Sequence, residues 1–364
     1  MKTLLRSLVP FLLLLFMHAQ NPTAQPAKYA VLKTENGETY LTSVNQLSDQ
    51  GYRVLIAGKF TILRREATPP DTYRYLRLEV KGGPAQFTNW INERGAHGYR
   101  WMARTGLLEK APHPRNYEYR NSPHGALGPS KGRELSSLLE EGYRPTGIVY
   151  FSHAIGAATK EMYFEHEVGQ PAYASSLAPG SEIQVADAMR AGNVMKHVDE
   201  LARQGYRFLS PHDSNKGGGI AVMMEKCRDD CAGRYEYRYF DAKDAPQIER
   251  ELNPLGKDGF QVLPNALHAR PHLLERDMRG KLSFAYRVLD AKDAAGLEQA
   301  LNAADQEGYV PLDFVWHVGW TAEGFLVLEK ETTASVNPWP AALRSPPALP
   351  RRSHRPDSAP RRVS

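Results

Sequence analysis

A two-residue phrase, glycine followed by an aromatic, recurs six times in this chain and limits what it can fold into. The copies are Gly51-Tyr52, Gly98-Tyr99, Gly142-Tyr143, Gly205-Tyr206, Gly259-Phe260 and Gly308-Tyr309. An apolar run follows each of them, and most runs end in a charged pair, as in Leu107-Leu108-Glu109-Lys110, Leu274-Glu275-Arg276 and Leu328-Glu329-Lys330. Recurrence at intervals of 44 to 63 residues marks a tandem array of small units. A unit of about 50 residues has too little core to stand comfortably alone, so neighbours are expected to share a buried surface.

The residues before each glycine predict a helix. Val44, Ile91, Leu135, Val198, Leu252 and Leu301 stand seven before it. Eleven before it are Tyr40, Phe87, Lys131, Val194, Ile248 and Leu297, and four before it Leu47, Arg94, Leu138, Leu201, Leu255 and Ala304. Offsets of eleven, seven and four share one face at 3.6 residues per turn, so each unit should carry an amphipathic helix of about three turns. The glycine then ends the helix in a left-handed conformation and the aromatic starts a strand on the core side. Pro254 falls in the last turn of the fifth helix, where it is expected to shorten or kink it.

Strands are legible ahead of several helices as aromatics spaced two apart: Tyr73 and Tyr75, Tyr117 and Tyr119, Tyr235 and Tyr237, Phe284 and Tyr286. The first copy lacks a clear Tyr-x-Tyr strand, and the fourth shows only a polar stretch over 169–182. The expected fold class is therefore α+β, with six tandem strand-helix-strand-strand repeats packed as pairs or as a continuous stack. The first two strands are expected to be parallel through a right-handed crossover, and the last two to close as a hairpin. The units are placed at 28–66, 72–110, 116–167, 182–227, 234–277 and 283–331.

This order of aromatic strand, helix, Gly-aromatic and closing apolar-charged run, best seen over 235–276 and 284–331, resembles the small bacterial domain of unknown function 4177. The second, fifth and sixth copies carry the resemblance most fully. It implies short strand-helix-strand-strand modules and brings no catalytic residue with it.

The ends differ from the body. Lys2 and Arg6 precede an apolar stretch from Leu8 to Met17, the pattern of a secretory signal over 1–19 and too short to span a bilayer. Residues 334–364 hold seven prolines and six arginines against one acid, and are expected to be a disordered tail. The surplus cations of these two ends exceed the whole chain's net charge of +5, so the body between them is net acidic. Nucleic acid is therefore not an expected partner. The only cysteines, Cys227 and Cys231, are expected to form a disulfide, in keeping with a periplasmic or secreted protein that has no transmembrane segment once mature.

No constellation of catalytic residues stands out. Ser130 in Gly128-Pro-Ser-Lys-Gly132 fits a nucleophile elbow in letters, but the repeat register makes it a helix start. Gly217-Gly218-Gly219 precedes a strand, not the helix that a phosphate loop requires. His268 and His272 are separated by Pro271, so no metal site is expected, and no cofactor.

Candidate ligand-binding residues remain. Arg53, Arg100, Arg144 and Arg207 each follow the repeated tyrosine, and strand alternation carries them to the opposite sheet face. There they form either a row able to bind an anionic envelope component or glycan, or a set of salt-bridged arginines. Trp316 and Trp320 are candidate contacts in the last hairpin, or else strand core. The expected function is a non-catalytic binding or scaffold module of the bacterial envelope. The alternatives are a secreted hydrolase with its site between repeats and a structural subunit that self-associates through unpaired sheet edges.

Overall fold

In the computed structural model the described residues are 27–332, apart from 36, 66–71, 103–104, 124–128, 152–158, 170–182, 189–190, 214–219, 228–230, 241–243, 264–271, 291 and 316–324. The signal-like leader and the Pro/Arg-rich tail lie outside them. A strand-helix-strand-strand order repeats six times. The first unit is β1 (Tyr29–Lys33), α1 (Glu38–Asp49), β2 (Tyr52–Ala57) and β3 (Phe60–Arg65). The second is β4 (Arg74–Arg77), α2 (Pro84–Ala96), β5 (Tyr99–Met102) and β6 (Leu107–Lys110). The third is β7 (Tyr117–Pro123), α3 (Pro129–Glu140), β8 (Arg144–Phe151) and β9 (Thr159–Glu167). The fourth is β10 (Ile183–Ala188), α4 (Ala191–Arg203), β11 (Tyr206–Asp213) and β12 (Ile220–Lys226). The fifth is β13 (Tyr235–Phe240), α5 (Ala245–Lys257), β14 (Gln261–Val262) and β15 (His272–Asp277). The sixth is β16 (Phe284–Leu289), α6 (Ala294–Gln306), β17 (Val310–Val315) and β18 (Phe325–Glu331). The chain is thus mixed α+β.

The repeated glycine ends each helix. Its φ lies between 85° and 92° in all six copies, the left-handed region that only glycine enters without a Cβ clash. In the third, fifth and sixth copies the amide of the following aromatic reaches back to the helix, Tyr143 N–H to the Leu138 carbonyl at 2.9 Å, Phe260 N–H to that of Leu255 at 3.0 Å and Tyr309 N–H to that of Ala304 at 3.0 Å. That is the Schellman arrangement, and it satisfies carbonyls the helix end would leave bare. The residue seven before the glycine is at most 1% exposed in every helix, so the stripe faces a core. α5 runs on through Pro254 to the same 13 residues as α2, α4 and α6, neither shortened nor ended early. The proline costs one intrahelical bond in a helix that Ile248 and Leu252, both fully buried, already anchor.

Each sheet has three antiparallel-paired strands, with the third strand of the unit in the middle. The first and second strands are parallel to each other but never touch, because the third inserts between them and pairs with both, as β3 does with β1 and β2. The hairpin expectation therefore holds, whereas the crossover spans the third strand. The fourth unit does have a first strand, β10, with Ile183 where the other units place a tyrosine.

Every helix packs on the first strand of the following unit: α1 on β4, α2 on β7, α3 on β10, α4 on β13 and α5 on β16. α6 packs on β1. Six cores result, each shared by two units. In the middle strand of a sheet, alternate residues enter different cores: Leu107 joins Val44 and Tyr75, whereas Leu108 joins Phe87, Ile91 and Tyr119. This strand is buried on both faces, which is why its sequence is a continuous apolar run instead of an alternating one.

The approach of helix to strand is closest at Gly95 and Gly256. A Cβ on Gly256 would lie 2.4 Å from the Phe284 carbonyl oxygen of the next unit, and one on Gly95 would lie 2.2 Å from that of Tyr117. Alanine gains about 1 kcal/mol over glycine in helix propensity, but overpacking against backbone costs about 1–3 kcal/mol. Gly256→Ala is therefore expected to lower the thermal midpoint. Gly296→Ala, whose Cβ meets only the Asp293 carboxylate at 3.3 Å, is not. Equal midpoints for Gly256→Ala and the parent protein would contradict this packing.

Candidate functional site

The recurring polar residues converge at the seams between units. An asparagine six residues before the glycine faces the bare edge of the next sheet. Asn92 accepts the Tyr119 N–H at 2.6 Å and donates to its carbonyl at 3.0 Å. Asn45 does the same with Tyr75, Asn253 with Tyr286, and Asn302 with Tyr29. A side-chain amide carries a donor and an acceptor at the spacing of one peptide edge, so it stands in for a missing strand.

The second tyrosine of each Tyr-x-Tyr strand reaches the other way, to the second strand of the preceding unit. The Tyr75 hydroxyl accepts the Val54 N–H at 2.9 Å and donates to Glu109 at 3.0 Å. Tyr119 does so with Trp101 N–H and Glu165, and Tyr237 with Phe208 N–H and Glu275. Burial first, and then the adjoining glutamate's charge, push all three phenols well up, which keeps them protonated donors.

The candidate arginines complete these seams. Arg53 meets Glu109 at 2.8 Å, Arg100 meets Glu165 at 2.8 Å and Arg207 meets Glu275 at 2.7 Å, each reaching from one unit into the next. Their guanidiniums also lie over the first tyrosine of the Tyr-x-Tyr pair, Tyr73, Tyr117 and Tyr235 respectively. Arg144 faces Glu225 at 3.8 Å. Of the two arrangements open from the sequence, the described side chains form the salt-bridged one. The glutamates, 4% to 9% exposed, occupy the positions an anionic ligand would take. Because they lie at four successive seams, the arginines do not gather into one site.

The charged pair ending each third strand is divided between two tasks. Its glutamate turns to the preceding unit. The next residue covers the aromatic of its own Gly-aromatic phrase: Lys110 over Tyr99, Lys226 over Tyr206, Arg276 over Phe260 and Lys330 over Tyr309. His166 stacks on Tyr143, and Arg65 lies over Tyr52. Arg276 further donates to the Asp258 carbonyl at the end of α5, where a cation complements the helix dipole.

Two seams depart from the pattern together. Between the fifth and sixth units Gln261 replaces the arginine and donates to Glu329 at 2.9 Å. Between the sixth and first units, Val310 stands in the arginine's place and Arg64 in the glutamate's, so donor and acceptor are lost as a pair. Tyr29 there keeps its backbone bonds to Asn302, while its hydroxyl is buried without a hydrogen-bond partner among the described residues. Burial and then Asp305 raise that phenol to about 12. Glu298 accepts the Val31 N–H at 2.9 Å, as Glu249 accepts that of Val288 at the preceding seam, and Lys28 pairs with Asp305 at 2.5 Å.

Cys227 and Cys231 form a disulfide in the link between the fourth and fifth units, with Cα atoms 6.1 Å apart. Cys231 enters the core shared by these units, beside Ala202 and Tyr235. Ser130 lies in the first turn of α3. Gly217 to Gly219 lie outside the described residues, between two antiparallel strands. Trp316, Trp320 and His268 also fall outside the described residues, while His272 is fully buried against Phe240. Among the described residues no group of three His, Cys, Asp or Glu side chains is placed to hold a metal ion, and no helix is long and apolar enough to cross a membrane.

No family model, no curated protein and no solved structure matches this chain.

The ion pairs are buried enough to be tested singly. Removing one partner of such a pair strands the other, at a cost of about 3 kcal/mol, whereas replacing both by apolar groups recovers much of it. Arg53→Met is expected to destabilise by roughly that amount in urea unfolding, and the further change Glu109→Met to restore part of the loss. Additive losses would show that the pair is not coupled.

Proposed function

We propose that this protein is an exported, ring-shaped binding scaffold of the bacterial envelope, in which six units close on themselves through α6 and β1. The observation that carries this reading is how the repeated polar residues are used. The asparagines, tyrosines, glutamates and arginines that recur in the chain bond one unit to the next, so recurrence serves assembly. Recognition then belongs to segments that differ between copies. The hairpins joining second to third strands are such segments, running from residues 58–59 in the first unit to 316–324 in the sixth.

The register of the seams supports placing these hairpins together. At each arginine-glutamate seam the contact joins the starts of second strands to the ends of third strands in adjacent units, so the opposite, hairpin ends are adjacent as well. Covered edges also bear on self-association: at four of the six seams the first-strand edge that would recruit another copy is already occupied by an asparagine-bearing helix. Export rests on the signal-like leader together with the disulfide.

Residues 316–324, which link β17 to β18, include Trp316 and Trp320, side chains suited to stacking on sugar rings, and a glycan of the envelope is the partner we assign to this segment. Replacing residues 316–324 by the two-residue turn Gly58-Lys59 is expected to abolish binding to envelope polysaccharide, measured by calorimetry, while leaving the thermal midpoint within a few degrees. Retained binding would overturn the assignment, and release of reducing sugar by the parent protein would replace scaffold with hydrolase.

A further inference from the structure

The seam between the fourth and fifth units lacks the side-chain amide used at four others. The position six before the glycine in α4 is Asp199, and α4 packs on β13 as its counterparts pack on their strands. An ionised carboxylate accepts hydrogen bonds and donates none. It cannot serve the Tyr237 carbonyl as Asn45, Asn92, Asn253 and Asn302 serve the equivalent tyrosines. That carbonyl instead accepts from Arg238 at 3.1 Å, and among the described residues no hydrogen bond joins the Asp199 side chain to Tyr237.

We propose that Asp199 is a proton-operated latch on this seam. Protonated, its carboxyl can donate to the Tyr237 carbonyl and accept from the Tyr237 N–H, reproducing the asparagine pairing; ionised, it leaves that edge to Arg238.

The surroundings are consistent with such a role. β13 presents Arg238 and Glu236 to Asp199, and α4 itself presents Arg203. Arg238 is shared with Glu236, which Arg276 also bridges, so the cation nearest the latch is already engaged. The core face of α4 packs among Ala186, Val222, Met224 and Tyr206. Half-burial raises the Asp199 carboxyl, against the lowering influence of Arg238 and Arg203. A raised folded value fixes the sign of the linkage. The contribution is fully present below the ordinary carboxyl value of about 4 and is lost as pH rises through the folded value. Acid therefore tightens the contact between Asp199 and the edge of β13.

The test is hydrogen exchange at the Tyr237 amide in the full chain, read as a protection factor at pH 7 and near pH 4. Asp199→Asn is expected to raise protection about tenfold at pH 7, the equivalent of one good hydrogen bond. The advantage should shrink towards pH 4, as the native carboxyl takes up its proton. Asp199→Ala removes the charge without supplying a donor, and is expected to leave protection unchanged at pH 7. Equal protection in the asparagine and parent proteins at pH 7, equal gains for alanine and asparagine, or a gain that persists unchanged at pH 4 would each overturn the latch.

Discussion

A three-stranded sheet has two bare edges, and this fold depends on how each is covered by the neighbouring unit. At four of the six seams an asparagine from the preceding helix pairs with one peptide of the first-strand edge. At four a tyrosine hydroxyl from the following unit accepts a backbone N–H of the second strand. Each also bonds within its own unit, the Tyr75 hydroxyl to Glu109 and the Asn45 amide to the Leu41 carbonyl, so the bond across the seam is made from a side chain already held in place. At about 1 kcal/mol net per hydrogen bond, the six seams together are comparable with the whole stability of an ordinary domain. The cost of leaving a buried edge unpaired is larger still, so it is the penalty for separation that holds units in place.

Packing follows from the same arrangement. Because both faces of every middle strand enter a core, a unit has no face of its own to turn to water. A linear array would end in two exposed apolar faces, and such arrays normally carry polar capping repeats. Here the last helix lies on the first strand, and Leu297, Leu301 and Ala304 share a core with Tyr29, Val31 and Ile62. This seam has shed its ion pair on both sides at once, Arg64 for the acid and Val310 for the base, and kept the asparagine. Closure thus uses the same asparagine pairing as three of the ordinary seams and dispenses with the ion pair, whereas the seam between the fourth and fifth units keeps the ion pair without the asparagine. The pH response assigned to Asp199 arises at the one seam where a carboxylate has taken the place of the amide.

Much of the architecture was legible from the chain. The helix stripe, the left-handed glycine and the apolar third strand all leave periodic signals, because each is imposed locally by backbone geometry. The first strand of the fourth unit was not, since Ile183 replaces the aromatic that marks the others. Pro254 does not shorten α5, because a single lost bond near a helix end is small beside two buried anchors. The seam chemistry was present but unread: Asn45, Asn92, Asn253 and Asn302 recur at a fixed offset, and five of the six charged pairs begin or sit beside a glutamate. Nothing local says that the partner of such a residue lies in the next unit. Only the packing of helix on neighbouring strand brings them together, and it turned a suspected row of ligand-binding arginines into four separate joints.

Closure is tested most directly by native-state hydrogen exchange at the backbone amides that cross the last seam. The amides of Tyr29 and Val31 bond to Asn302 and Glu298 as those of Tyr286 and Val288 bond to Asn253 and Glu249. A closed ring predicts protection factors for the first pair within about tenfold of the second. Free exchange of Tyr29 and Val31 beside protected Tyr286 and Val288 would show an open array and contradict the account.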